Sequence, residues 1–188
     1  MIKKAIILTS CVLSIASITL TSYADDKPAA KEKTKQAAKQ TASALDLFPE
    51  KLYNAKGEEV SRESLKGKIV GIYFSAHWCP PCRAFTPNLV KFRDKHKDEF
   101  EIVFVSSDKD EAAQMGYMKE TKMKWLAVKF GAKDIKSLKQ RYELKGIPTL
   151  IIVGPDGKTI TKDGRSDVTK KPGKALDAWQ TKAGLKTA

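Results

Sequence analysis

Residues 68–85 read KIVGIYFSAHWCPPCRAF, an apolar run that ends in two cysteines three positions apart. Lys68 to Ser75 is short, apolar and rich in β-branched and aromatic residues, which predicts a buried strand. Pro80 and Pro81 predict a helix start, because first-turn N–H groups have no partner inside a helix and proline has none to lose. Phe85, Leu89 and Phe92 recur at i, i+4 and i+7 and predict one core-facing stripe. Pro87 falls inside that helix and predicts a kink. Glu101 to Ser106 (EIVFVS) predicts a second buried strand. Two strands with a helix between them make a βαβ unit, hence a parallel pair with a right-handed crossover.

This arrangement puts Cys79 at the end of a strand-to-helix connection and Cys82 in the first helical turn. A helix N-terminus presents unpaired N–H groups and a partial positive charge. Both favour thiolate over thiol, and cysteines so placed titrate anywhere from about 3.5 to 7.5 instead of near 8.5. Cys79, the outer residue, gains most and is expected to be accessible. Cys82, one turn inward, is placed to attack a mixed disulfide on Cys79. The expected chemistry is thiol–disulfide exchange: Cys79 attacks a substrate disulfide, Cys82 resolves the adduct, and the reverse order oxidises a substrate. Other uses of the pair fit less well. A zinc site needs four ligands, and the remaining candidates are His77, two residues from Cys79 on a turn, and His96 at the far end of the helix. A c-type haem needs C-x-x-C-H, and Arg83 stands where the histidine belongs. An inert disulfide closing so small a ring staples little. No metal and no cofactor is expected.

Outward from this unit the elements keep alternating, which predicts an α/β domain. Asp108 or Asp110 can cap a helix running to about Thr121. Ile135, Leu138 and Tyr142 mark another, closed near Gly146. Thr149 to Val153 (TLIIV) predicts a third strong strand. Gly154-Pro155-Asp156-Gly157 predicts a turn, because proline fixes φ and glycine frees it, and Lys158 to Lys162 then returns antiparallel. Pro172 to Thr181 predicts a last helix with Leu176 and Trp179 inward. At the front, Leu52-Tyr53-Asn54 and Glu59-Val60 flank a turn at Lys56-Gly57 and predict a small hairpin. There is no internal repeat.

The N-terminus reads differently. Lys3 and Lys4 precede an apolar stretch from Ala5 to about Leu20, and Ser22 and Ala24 are small residues at the positions a signal peptidase inspects. Residues 1–24 are therefore expected to be a signal peptide cleaved after Ala24. The stretch is shorter than the roughly 20 apolar residues that span a bilayer. Leu8-Thr9-Ser10-Cys11 is similar to a lipoprotein box, but it lies inside the apolar run, so Cys11 is expected to leave with the signal. Residues 25–44 (DDKPAAKEKTKQAAKQTASA) carry five Lys, two Asp and one Glu and no large apolar residue. Such a segment cannot bury enough surface to join a core, and it reads as a linker ahead of a domain at 45–188.

The full chain carries +13, and Lys3 and Lys4 are the only charges in residues 1–24, leaving +11 for the rest. Lysines scattered over helix faces describe a solvated surface. No helix concentrates arginine with aromatics as a nucleic-acid face would, so no nucleic-acid partner is expected.

One run carries a resemblance and three others support it. The first is Tyr73-Phe74-Ser75-Ala76-His77-Trp78-Cys79-Pro80-Pro81-Cys82-Arg83-Ala84-Phe85-Thr86-Pro87. The others are Phe104-Val105-Ser106-Ser107-Asp108, Gly146-Ile147-Pro148-Thr149 and Pro155-Asp156-Gly157-Lys158. From about Leu45 to Trp179 the chain resembles the thioredoxin superfamily, and within it the nucleoredoxin and tryparedoxin branch. The resemblance implies a thioredoxin-like fold, a central mixed sheet flanked by helices with a small N-terminal hairpin. It implies that Cys79 is the nucleophile and Cys82 the resolving thiol. It also implies a cis bond at Ile147-Pro148 beside the dithiol, with Ile147, Pro148 and the lid-like Trp78 meeting substrate, while Trp125 packs. The implied partners are protein disulfides or dithiols and a redox partner protein, acted on by a monomer in the periplasm or outside the cell. Membrane contact is expected only if the N-terminal segment is retained or lipidated. One departure stands out. Many thioredoxins carry a buried acid six places before the first cysteine, and here that place is Tyr73, which leaves the proton acceptor for Cys82 unassigned.

Overall fold

The computed structural model describes residues 43–186. The signal-peptide and Cys11 readings and residues 25–42 of the linker lie outside the described residues. Seven strands form one mixed sheet: β1 (Lys51–Tyr53), β2 (Glu59–Ser61), β3 (Ile69–Ser75), β4 (Phe100–Ser106), β5 (Leu126–Ala127), β6 (Thr149–Val153) and β7 (Thr159–Thr161), in the order β2-β1-β5-β4-β3-β6-β7. The pairs β3–β4 and β4–β5 are parallel, and β3–β6, β6–β7, β1–β2 and β1–β5 are antiparallel. The expected βαβ unit is β3, α1 (Pro80–Lys95) and β4. The remaining helices are α2 (Glu111–Glu120), α3 (Lys133–Arg141), α4 (Gly164–Lys170) and α5 (Pro172–Lys182).

Alternation along β3 divides the core in two. Ile69 and Tyr73 face one side, where they join Phe85, Leu89 and Phe92 of α1, Tyr117 and Met118 of α2, Val168 of α4 and Trp179 of α5. Val70, Ile72 and Phe74 face the other side, with Leu138 of α3 and the N-terminal Leu45 and Phe48. All of these are buried, and side chains of this size each stabilise the fold by about 1.5–3 kcal/mol when removed from water. The stripe on α1 thus does what its spacing implies, and Pro87 sits within the helix without ending it. Near its C-terminus α1 is tied to β4 by Arg93, whose guanidinium forks onto the Glu101 carboxylate, with Nε donating to Oε1 at 2.8 Å. The two side chains are only 13% and 10% exposed.

Several expectations are settled or corrected. Of the two expected caps for α2, Asp110 serves, its Oδ1 accepting from the Ala113 N–H at 2.8 Å. Asp108 is drawn instead to the turn that precedes α1. Helix α3 ends at Arg141 with Tyr142 as its C-cap, before Gly146. Glu143 takes φ +51, and the Leu144 N–H returns to the Lys139 carbonyl at 3.0 Å, closing the helix in the left-handed fashion usually left to glycine. Ser43 and Ala44, at the end of the expected linker, belong to the fold. Ser43 caps a short 3₁₀ turn, and Ala44 is buried with its N–H on the Pro155 carbonyl at 3.0 Å. The Pro155-Asp156-Gly157 turn leaves room for this. Gly157 has φ +75, and a Cβ there would stand 2.9 Å from the Ser43 carbonyl oxygen.

Strand β5 and helix α4 were not expected from the sequence. The first is two residues long, defined by the neighbours on either side of it. The second begins on Gly164, where a Cβ would lie 2.8 Å from both Ile152 and the Leu150 carbonyl, so only glycine lets α4 approach β6 this closely. Among the described residues no helix is long and apolar enough to cross a membrane.

Candidate active site

Three chain segments converge at the carboxyl ends of β3 and β4, the edge where open α/β sheets hold their ligands. β3 delivers residues 76–79 and the start of α1. β4 delivers Ser107 and Asp108, with the Ser107 N–H on the Ser75 carbonyl at 2.9 Å. β6 runs antiparallel to β3 with Phe74 opposite Thr149, which sets Ile147 and Pro148 at the same edge. Their peptide bond is cis.

Cys79 is the N-cap of α1, Pro80 and Pro81 fill the next two positions, and Cys82 completes the turn, with both the Cys82 and Arg83 N–H groups on the Cys79 carbonyl at 3.1 Å. The two cysteines are joined by a disulfide, Cα to Cα 5.2 Å. Cys79 is not exposed as expected. It is 4% accessible and Cys82 is fully buried, because Ala76 and Ile147 pack against the pair. The Cys79 sulfur lies 3.9 Å from the Ile147 carbonyl oxygen, a contact and not a hydrogen bond, since the disulfide sulfur carries no proton.

The exposed group here is Trp78, at 58%. Its indole N–H donates to the Ser107 carbonyl at 3.0 Å, and the ring lines a depression of about 330 Å³ together with His77, Arg83 and Asp108. Asp108 accepts the His77 backbone N–H and the Ser106 hydroxyl, both at 2.7 Å. His77 is only partly exposed. Its ring stacks on Tyr117, and its Nε2 lies 2.8 Å from the Glu120 carboxylate. Trp125 is buried in the core, as expected of a packing residue. His96 is the C-cap of α1, at the end of the helix opposite Cys79, and among the described residues no group of His, Cys, Asp and Glu is arranged to hold a metal ion. A larger groove of about 700 Å³ begins at the same Ser107 and Asp108 and runs along α3, with Ile135 and Leu144 apolar and Lys136 and Lys139 at its side.

Behind Cys82 the sequence reading missed a cluster of four buried hydroxyls. Thr86 Oγ1 donates to the Cys82 carbonyl at 2.9 Å and lies 2.9 Å from Tyr73 OH and 2.6 Å from Tyr117 OH. Ser75 Oγ donates to Tyr73 OH at 3.0 Å and lies 3.2 Å from Tyr117 OH. Burial holds the Tyr73 phenol well above its ordinary pKa. Two signals were available. Thr86 is one turn beyond Cys82, and Ser75 shares a strand face with Tyr73. Nothing in the sequence pointed to Tyr117.

A thioredoxin-like family model matches residues 67–159. Nucleoredoxin of Mus musculus is 46% identical over 121 residues, 62% of this chain and 27% of that protein, so the chain spans about a quarter of its length. Thioredoxin from Wuchereria bancrofti superposes with a TM-score of 0.62 at 45% identity, covering 72% of this chain and 96% of that one. Tryparedoxin from Trypanosoma brucei gives 0.65 at 39% identity, with 73% and 98% covered. Sheet order, dithiol and relatives agree, and the chain belongs to the thioredoxin-like family, in its nucleoredoxin and tryparedoxin branch.

Proposed function

We propose that the protein is an exported thiol–disulfide oxidoreductase that reduces disulfides in protein substrates through Cys79 and Cys82. The observation that carries this reading is the disulfide between Cys79 and Cys82 across the first turn of α1, beside Ile147 and Pro148. Nucleoredoxins and tryparedoxins are thiol–disulfide oxidoreductases. In the reduced protein the first-turn N–H groups of α1 stabilise a Cys79 thiolate. That thiolate attacks one sulfur of a substrate disulfide, and the other sulfur leaves as a thiolate that takes a proton from solvent. Cys82 then attacks Cys79 Sγ, the second substrate thiol departs, and the Cys79–Cys82 bond remains. Trp78 offers the incoming chain an aromatic face, and the backbone at Ile147 and Pro148 lies against the nucleophile.

Export rests on residues 1–24, from the Lys3-Lys4 start to Ala24. Periplasmic or secreted protein is expected to begin at Asp25, and intact mass reads this directly; exported protein that kept all 24 residues would sink it. The activity is tested by reduction of insulin with dithiothreitol. The protein is expected to accelerate it well beyond dithiothreitol alone, and no acceleration would end the reading. Direction is tested by the reduction potential of the pair. About −270 mV supports a reductant, whereas about −120 mV would make it a disulfide donor.

A further inference from the structure

The hydroxyl cluster behind Cys82 converges on one acceptor, the Cys82 carbonyl, with Thr86 Oγ1 at 2.9 Å and Tyr73 OH at 3.4 Å both placed to donate to it. With the Thr86 hydrogen on the Cys82 carbonyl, its oxygen is left to accept from Tyr117 at 2.6 Å and Tyr73 at 2.9 Å. Ser75 in turn donates to Tyr73. In that arrangement the hydrogens run from Ser75 and the two phenols through Thr86 to the carbonyl of Cys82. Hydrogen bonds aligned in a chain strengthen one another in a low-dielectric interior, and all four residues are fully buried. A helical threonine often bonds the carbonyl four residues back with no further meaning. Here the same hydroxyl is also pinned by a phenol from β3 and a phenol from α2. The first turn of α1 is thus clamped to two other elements at the residue that carries the inner sulfur. No member of the cluster is a carboxylate, and a phenol held above its ordinary pKa by burial does not take up a thiol proton.

We propose that Thr86, oriented by Tyr73, Tyr117 and Ser75, is the positioning residue for the resolving step, holding Cys82 on its line of attack toward Cys79. This rests on the disulfide-exchange reading above. In that step the Cys82 S–H bond and the bond between Cys79 and the substrate sulfur break, and the Cys79–Cys82 bond forms. The Cys82 proton ends on the departing substrate sulfur. The substrate disulfide is reduced, the dithiol is oxidised, and the hydroxyl cluster gains and loses nothing.

The test separates the two steps with dithiobis(nitrobenzoate). The reduced protein releases one coloured thiolate when Cys79 attacks the reagent and a second when Cys82 displaces the adduct. Thr86→Val keeps the shape and loses the donor. It is expected to slow the second release about tenfold, equivalent to about 1.4 kcal/mol, and to move the first by less than about twofold. Thr86→Ser, which restores a hydroxyl, is expected to recover most of the loss. Equal slowing of both releases, no slowing of the second, or no recovery with serine would overturn the proposal. Should Thr86→Val fail to fold, Tyr117→Phe takes its place. It removes the phenol hydroxyl that lies 2.6 Å from Thr86 Oγ1, and a second release slowed about threefold supports the proposal while an unchanged one overturns it. A parent protein that released no coloured thiolate at all would overturn the exchange reading itself, and the positioning role with it.

Discussion

Cys82→Ser is expected to convert a turnover enzyme into a trap. The nucleophile Cys79 remains at the N-terminus of α1, so the first attack proceeds, but the mixed disulfide it forms has no internal thiol to release it. A thiol held within bonding distance acts at an effective concentration that reaches ~10⁵ M in the best-aligned cases. External dithiothreitol at ~1 mM is a weak substitute, and insulin turnover is expected to fall at least ~100-fold. Covalent adducts through Cys79 accumulate in proportion and disappear on treatment with excess reductant, which non-reducing gels display. Cys79→Ser behaves in the opposite way, with no turnover and no adducts. The two outcomes together distinguish an ordered pair from two interchangeable thiols. Equal trapping by both variants, or a Cys79→Ser protein as active as its parent, would refute the assigned order.

Arg93→Leu is expected to cost more stability than any surface change. It leaves the Glu101 carboxylate 90% enclosed, with the Ile102 backbone N–H at 3.0 Å as its remaining donor. Removing one member of a buried ion pair typically costs about 3–5 kcal/mol, because the other charge stays behind without its partner. Against a total stability of about 5–15 kcal/mol for a domain, that is a third of the reserve or more. The double variant Arg93→Leu/Glu101→Leu removes the stranded charge as well and is expected to recover most of the loss. Urea unfolding of the three proteins decides the matter. A single variant within about 1 kcal/mol of the parent would mean that water reaches Glu101 and the pair contributes little.

The parts of the fold that could be read in advance share a cause. β3, β4 and β6 are apolar runs, α1 has a stripe with two prolines at its start, and the turn at residues 154–157 contains its own φ preferences. Each is decided by residues adjacent in the chain. β5 is a strand because β1 and β4 flank it, and Leu126-Ala127 alone states nothing of the kind. α4 depends on a glycine that must meet Ile152 and Leu150, a contact between elements and not a local preference. Glu143 closes α3 in a conformation its side chain does not favour, since the chain must turn there toward Ile147. At the site, the cysteine spacing announced the chemistry. The burial of Cys79 and the hydroxyls behind Cys82 did not show, because positions 73, 75, 86 and 117 meet only once the sheet and two helices are assembled.

The seating of Ala44 on the turn at Pro155 also fixes an orientation. That turn follows β6, whose Val153 pairs with Val70 near the start of β3, whereas Cys79 follows its end. β3 spans seven residues, and at about 3.3 Å per residue it separates the two poles by roughly 20 Å. Arg62 reinforces the seat by donating to the carbonyls of Leu45 and Phe48. The polypeptide therefore enters the domain at its stern while the dithiol rides at the bow.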